Sequence, residues 1–150
     1  MFRKILVPLD GSDLAERALE AAFALARQFG SEVILLRVIV PDEILVSLPA
    51  LLPPAATLYP TKSLRHSEEA EAYLFGVKMR WSASGVRIRT EVLAGTPPEV
   101  IVTFAREQYA DLIVMSTHGR SGFSRLIYGS VAEAVLRGAH LPVLLTPIPA

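Results

Sequence analysis

The chain has 150 residues, of which 51% are hydrophobic and 20% charged, with 15 basic against 15 acidic side chains and no cysteine; that size suits one domain able to bury about 70% of its unfolded surface. The balanced charge speaks against a nucleic-acid-binding domain, which carries a basic excess, and the missing cysteines exclude a disulfide framework and thiolate metal sites. No apolar run nears the roughly 18 residues of a membrane span, and Met1-Phe2-Arg3-Lys4-Ile5 enters a strand pattern without the apolar region of a signal peptide, so a cytoplasmic protein is expected.

Residues 4–9, Lys-Ile-Leu-Val-Pro-Leu, are an apolar run without polar alternation, which predicts a strand buried on both faces. Asp10-Gly11-Ser12 is a turn with Ser12 as N-cap. Ala15, Ala18, Leu19, Ala22, Leu25, Ala26 and Phe29 then form one helical stripe that Gly30 ends. Residues 33–40 are the second strand. Between Pro41 and Pro60 lie five of the eleven prolines, with no period of 2 or 3.6, so residues 41–62 read as a proline-rich variable loop. Residues 63–84 form a helix whose inner face carries Leu64, Ala70, Leu74, Val77 and Trp81. Residues 86–93 alternate in polarity, which predicts an edge strand. Thr96 is the expected N-cap of a helix with Pro97 in its first position and a stripe at Val100, Ile101, Phe104 and Ala105. Residues 111–115 make the fourth strand, 131–136 a last helix ended by Gly138, and Pro142 and Pro147 bracket a fifth strand. Strand–helix repeated in this way predicts a single-domain α/β fold, an open parallel sheet with helices on both faces.

Ligands of such sheets sit beyond the carboxyl ends of the strands. Two loops there have unusual composition. Pro8-Leu9-Asp10-Gly11-Ser12 follows strand one. Residues 116–130, Ser-Thr-His-Gly-Arg-Ser-Gly-Phe-Ser-Arg-Leu-Ile-Tyr-Gly-Ser, follow strand four, rich in glycine and serine, with Arg120 and Arg125 and no carboxylate. Glycine lets backbone N–H groups approach a ligand, and a helix N-terminus adds unpaired donors and a positive dipole end. That is a place for phosphate. Ser130 reads as phosphate contact or N-cap, and Asp10 as a turn acceptor or a contact to ribose or metal. His118 has no paired carboxylate or nucleophile in the sequence around it and reads as structural. His66 and His140 lack ligand spacing, so no metal site is expected. The P-loop, the dinucleotide fingerprint of the Rossmann fold and the nucleophile elbow of α/β-hydrolases are all missing.

Met115-Ser116-Thr117-His118-Gly119-Arg120-Ser121-Gly122, then residues 126–133 and Leu141-Pro142-Val143-Leu144, together with residues 5–12, 33–38 and 92–97, resemble the universal stress protein family over essentially the whole chain. The resemblance implies a five-stranded sheet in the order 3-2-1-4-5, an adenine-nucleotide α-hydrolase-like fold, with strands one and four side by side. ATP-binding members resemble G-x2-G-x9-G-[ST] in the second loop. Gly119 and Gly129-Ser130 match its later part, and Ser116 stands where the first glycine would. Carried over by position, Pro8, Leu9 and Asp10 lie against adenosine, and Val38 offers backbone to adenine. Met115, Ser116, Gly119 and Arg120 line ribose and phosphates, while Gly129, Ser130 and Val131 hold the phosphate tail. The implied cofactor is ATP with Mg or Mn, and the implied partner a second copy paired through the strand from Pro142 to Thr146. The expected function is an ATP-binding stress-response protein with at most slow hydrolysis. The alternatives are a nucleotide-free dimeric interaction protein, an AMP or cyclic-nucleotide sensor, or an ATP-consuming enzyme of a related class.

Overall fold

The computed structural model describes residues 1–41, 61–117 and 129–147, with the side chains of residues 61–64 excepted. The expectations for residues 42–60, His118, Gly119, Arg120 and Arg125 lie outside them. The element order is β1 (Lys4–Pro8), α1 (Asp13–Glu16), α2 (Ala18–Phe29), β2 (Glu32–Ile39), α3 (Thr61–Arg80), a 3-10 turn (Ser82–Ser84), β3 (Arg87–Ala94), α4 (Pro97–Glu107), β4 (Leu112–Ser116), α5 (Ser130–Gly138) and β5 (Val143–Thr146).

The five strands form one sheet in the order β3-β2-β1-β4-β5, and all four pairings are parallel. β1 faces β2 in the register Lys4↔Glu32 to Pro8↔Leu36, and β4 on its other side with Ile5↔Leu112. The order therefore reverses between β1 and β4. Alternation along the central strands divides the core in two. Ile5, Val7, Val33, Leu35, Leu112 and Val114 pack with Leu19, Ala22, Phe23 and Ala26 of α2 and with Leu74 and Val77 of α3. Leu6, Ile34, Leu36, Val38, Ile113 and Met115 pack with Ile101, Phe104 and Ala105 of α4 and with Ala132 and Val135 of α5. The small residues of α2 let it lie flat on the sheet. Trp81 stacks on Phe23 with ring centroids 4.3 Å apart. β3 is an edge strand, as its alternation predicts.

Several boundaries differ from the sequence expectation. The first helix is two: Arg17 keeps helical backbone, but its N–H bonds Leu14 O at 3.3 Å, a tight i→i−3 turn between α1 and α2. α3 starts at Thr61, inside the loop expected over 41–62, because no proline after Pro60 stops the helix from reaching back. It also ends at Arg80, and only a 3-10 turn continues to Ser84. Thr96 has the N-cap position without a capping side-chain bond; Pro98 at N2 removes one of the two N–H groups a cap reaches. β4 is shifted by one residue. Asp111 stays outside it, and its carboxylate accepts from the backbone N–H of Arg3 and Lys4 at 2.8 and 2.9 Å. Gly138 is the last residue of α5 rather than its terminator, and the chain leaves through Ala139 in extended backbone toward β5.

Candidate functional site

Three strand ends converge at the reversal point. Leu9 N–H donates to Leu36 O at 2.8 Å, which carries the β1–β2 ladder one residue beyond β1. The chain then turns at Gly11, whose φ of +87° favours glycine. The Asp10 carboxylate accepts from Ser12 N–H at 2.8 Å and from the Ser12 hydroxyl, and Ser12 in turn accepts from Ala15 N–H as the cap of α1. Asp10 thus acts in its turn, as one of its two readings expects, and remains exposed beside the ends of β1 and β2.

On the other side, β4 ends at buried Ser116, in register with Thr146. Thr117 N–H donates to Thr146 O at 3.2 Å, and Gly129 N–H donates to Thr117 O at 2.5 Å. Thr117 and Gly129 are thereby joined beyond the carboxyl end of β4. Gly129, not Ser130, is the N-cap of α5. Ser130 is the first helical residue and is exposed, and no capping side-chain bond forms. Its N-cap reading is corrected: with Gly129 in the half-in position, the Ser130 hydroxyl is past the point from which a cap reaches the N2 or N3 amide.

Between these loops lies a cavity of about 290 Å³. Its wall includes nine of the eleven residues singled out in the sequence: Pro8, Leu9, Asp10, Val38, Met115, Ser116, Gly129, Ser130 and Val131. The other two, Gly119 and Arg120, lie outside the described residues. Leu9, Leu36, Val38, Ile101, Met115 and Ala132 make an apolar wall, and the N-terminus of α5 makes a polar one. Such a cavity can take a flat apolar ring on one side and an anion on the other.

Sequence reading missed several lining residues. Pro97 and Ile101 come from α4 and carry no chemical signal, since only three-dimensional packing brings that helix start to the cavity. Arg37 did carry a signal, as the one charged residue inside the run 33–40. Among the described residues no cluster of three or more His, Asp or Glu side chains could hold a metal.

Behind the cavity, α3 is clipped to α1. The Tyr73 hydroxyl donates to Glu16 Oε1 at 2.9 Å, and Arg80 pairs with Glu16 Oε2 at 2.9 Å. Burial pushes the Tyr73 hydroxyl well above its ordinary pKa. The hydrogen bond to Glu16 and the negative charges of Glu16 and Asp10 act in the same direction.

Known proteins share this fold. The profile of the universal stress protein family matches residues 1–147. The universal stress protein MJ0531 of Methanocaldococcus jannaschii is 38% identical over 149 residues, covering 99% of this chain and 84% of the relative. The solved structure of MJ0577, from the same organism, has a TM-score of 0.85 at 30% identity and covers 100% of this chain and 99% of its own. A universal stress protein crystallised in complex with cAMP has a TM-score of 0.68 at 25% identity, over 99% of this chain and 98% of its own. With sheet order, loop chemistry and matches over nearly its full length in agreement, the chain belongs to the universal stress protein family.

Proposed function

We propose that the protein binds ATP in the cavity between β1 and β4 and acts in a stress response. The observation that carries this reading is the joining, around one cavity, of an apolar wall, the Asp10 turn and the N-terminus of α5. Adenine lies against Val38, Leu36 and Met115. Ribose hydroxyls donate to Asp10. The phosphates take the amides at Gly129, Ser130 and Val131 and the Ser130 hydroxyl, where the dipole of α5 favours negative charge. Gly119 and Arg120 add to the phosphate end. Mg or Mn enters as a companion of the phosphates.

Hydrolysis is at most slow. Phosphoryl transfer to water needs a positioned nucleophile and stabilised charge. Asp10 is the one carboxylate among the described lining residues, and it already accepts two bonds from Ser12. The working form is a homodimer in the cytoplasm, joined along the strand from Pro142 to Thr146. β5 is a sheet edge with Leu144 37% exposed, and an edge of that kind calls for a partner or a cover.

A second reading, an AMP or cyclic-nucleotide sensor, is favoured by the similarity to the protein crystallised with cAMP. Equilibrium dialysis against labelled ATP, with unlabelled AMP and cAMP as competitors, separates the two. The ATP reading expects ATP to compete best. Displacement of ATP by micromolar cAMP would replace it with the sensor reading.

A further inference from the structure

β2 is an interior strand in which Val33, Ile34, Leu35, Leu36 and Val38 are buried. Arg37 interrupts that run near its carboxyl end and lines the cavity. Alternation turns it away from the α4 face, where Leu36 and Val38 pack. A Cβ placed on Gly11 would meet Arg37 Nη2 at 3.9 Å, which sets the guanidinium beside the turn that carries Asp10. The ion pairs among the described residues join Arg80 to Glu16, Arg89 to Glu91 and Arg137 to Glu133, and none involves Arg37. Asp10 directs Oδ1 to Ser12 instead. Asp10 and Arg37 are the charged side chains among the described lining residues; one follows β1 and the other sits on β2, the neighbour of β1 on the side opposite β4.

We propose that Arg37 binds a phosphate on the 2′ or 3′ oxygen of the ribose, so that the site prefers adenosine nucleotides phosphorylated on both sides of the sugar. This rests on the nucleotide reading of the cavity. A guanidinium only donates, through five N–H groups in a fixed fork that matches phosphate oxygens in pairs. A carboxylate only accepts. A ribose with two free hydroxyls serves Asp10 and leaves most of the Arg37 donors unused. A ribose with one free hydroxyl and one phosphate serves both. The 5′ phosphate then remains at the N-terminus of α5.

The test measures the affinity of the full-length protein for AMP, adenosine 3′,5′-bisphosphate and adenosine 2′,5′-bisphosphate by calorimetry at low salt. One bisphosphate is expected to bind about tenfold more tightly than AMP, because its added contact is charge-assisted and bidentate. That advantage shrinks as salt is raised. Arg37→Gln should bring the bisphosphate to parity with AMP. Arg37→Lys, which keeps the charge without the fork, should retain part of the advantage and guards against a folding defect in the first variant. Equal affinity of the wild-type protein for all three, or an advantage that survives in Arg37→Gln, overturns the proposal while AMP binding upholds the nucleotide reading. Absence of binding by all three while ATP binds in the same assay overturns the proposal alone; absence of binding by ATP as well overturns both.

Discussion

Gly129 and Gly11 are both glycines of the candidate site, for different reasons. Gly129 has φ −49° and ψ 147°, a backbone that any residue adopts. Its substitution therefore tests space rather than strain. Gly129→Val should weaken ATP binding by at least about tenfold and leave the helical signal in circular dichroism unchanged; retained affinity would mean that the phosphates lie elsewhere. Gly11 has φ +87°, and a Cβ there would meet the Arg37 guanidinium at an ordinary contact distance of 3.9 Å. Gly11→Ala should cost about 1 kcal/mol of stability from the backbone alone, read as a lower urea midpoint at constant slope. The place of Gly129 in the cavity wall was legible in the sequence, as a glycine between the loop and a helical pattern. Arg37 was visible only as an anomaly in an apolar strand. Its neighbours come from a turn 26 positions away, which no local pattern specifies.

At the scale of elements, the strands were the most legible, because burial on both faces leaves an apolar run and a wet face leaves alternation. Helix ends were the least legible. Residues such as Thr96 and Gly138 carry the right propensity, but Pro98 and the approach of β5 decide what they do. The clip from α3 to α1 has no sequence signature either, since Tyr73 and Glu16 lie 57 positions apart. It has a pH signature. The Tyr73 hydroxyl ordinarily titrates at 10.0 and is raised in the fold, so between the two values the folded state holds a proton that the unfolded state has lost. Stability from this group is full below pH 10 and falls as pH rises past it. Thermal midpoints measured at about pH 9 and about pH 11 should drop more steeply for the wild type than for Tyr73→Phe. Equal slopes would mean that the hydroxyl is not held in this way. In the core, Phe23→Ala should cost about 3–5 kcal/mol. It should also shift the emission of Trp81, the single tryptophan, which stacks on Phe23.

For the whole molecule, a parallel α/β sheet could be read from the strand–helix repeat, but the order 3-2-1-4-5 came from resemblance. Register and crossover choice depend on contacts between distant segments, so periodicity alone leaves the order open. The order matters because it puts the ends of β1 and β4 side by side and so creates the cavity. The proposed dimer belongs to this scale too. Leu144→Lys places a charge on the exposed edge strand and should convert the proposed dimer to monomers in sedimentation, without loss of helical signal; a wild-type chain that sediments as a monomer would rule the dimer out. Whether this crevice holds ATP is decided by calorimetric titration with Mg·ATP up to millimolar concentration, paired with a thermal melt. One binding event per chain is expected, with a melting point that rises with ligand, as mass action requires of a ligand bound only by the folded state; no heat and no shift at millimolar Mg·ATP would mean that the crevice does not hold ATP.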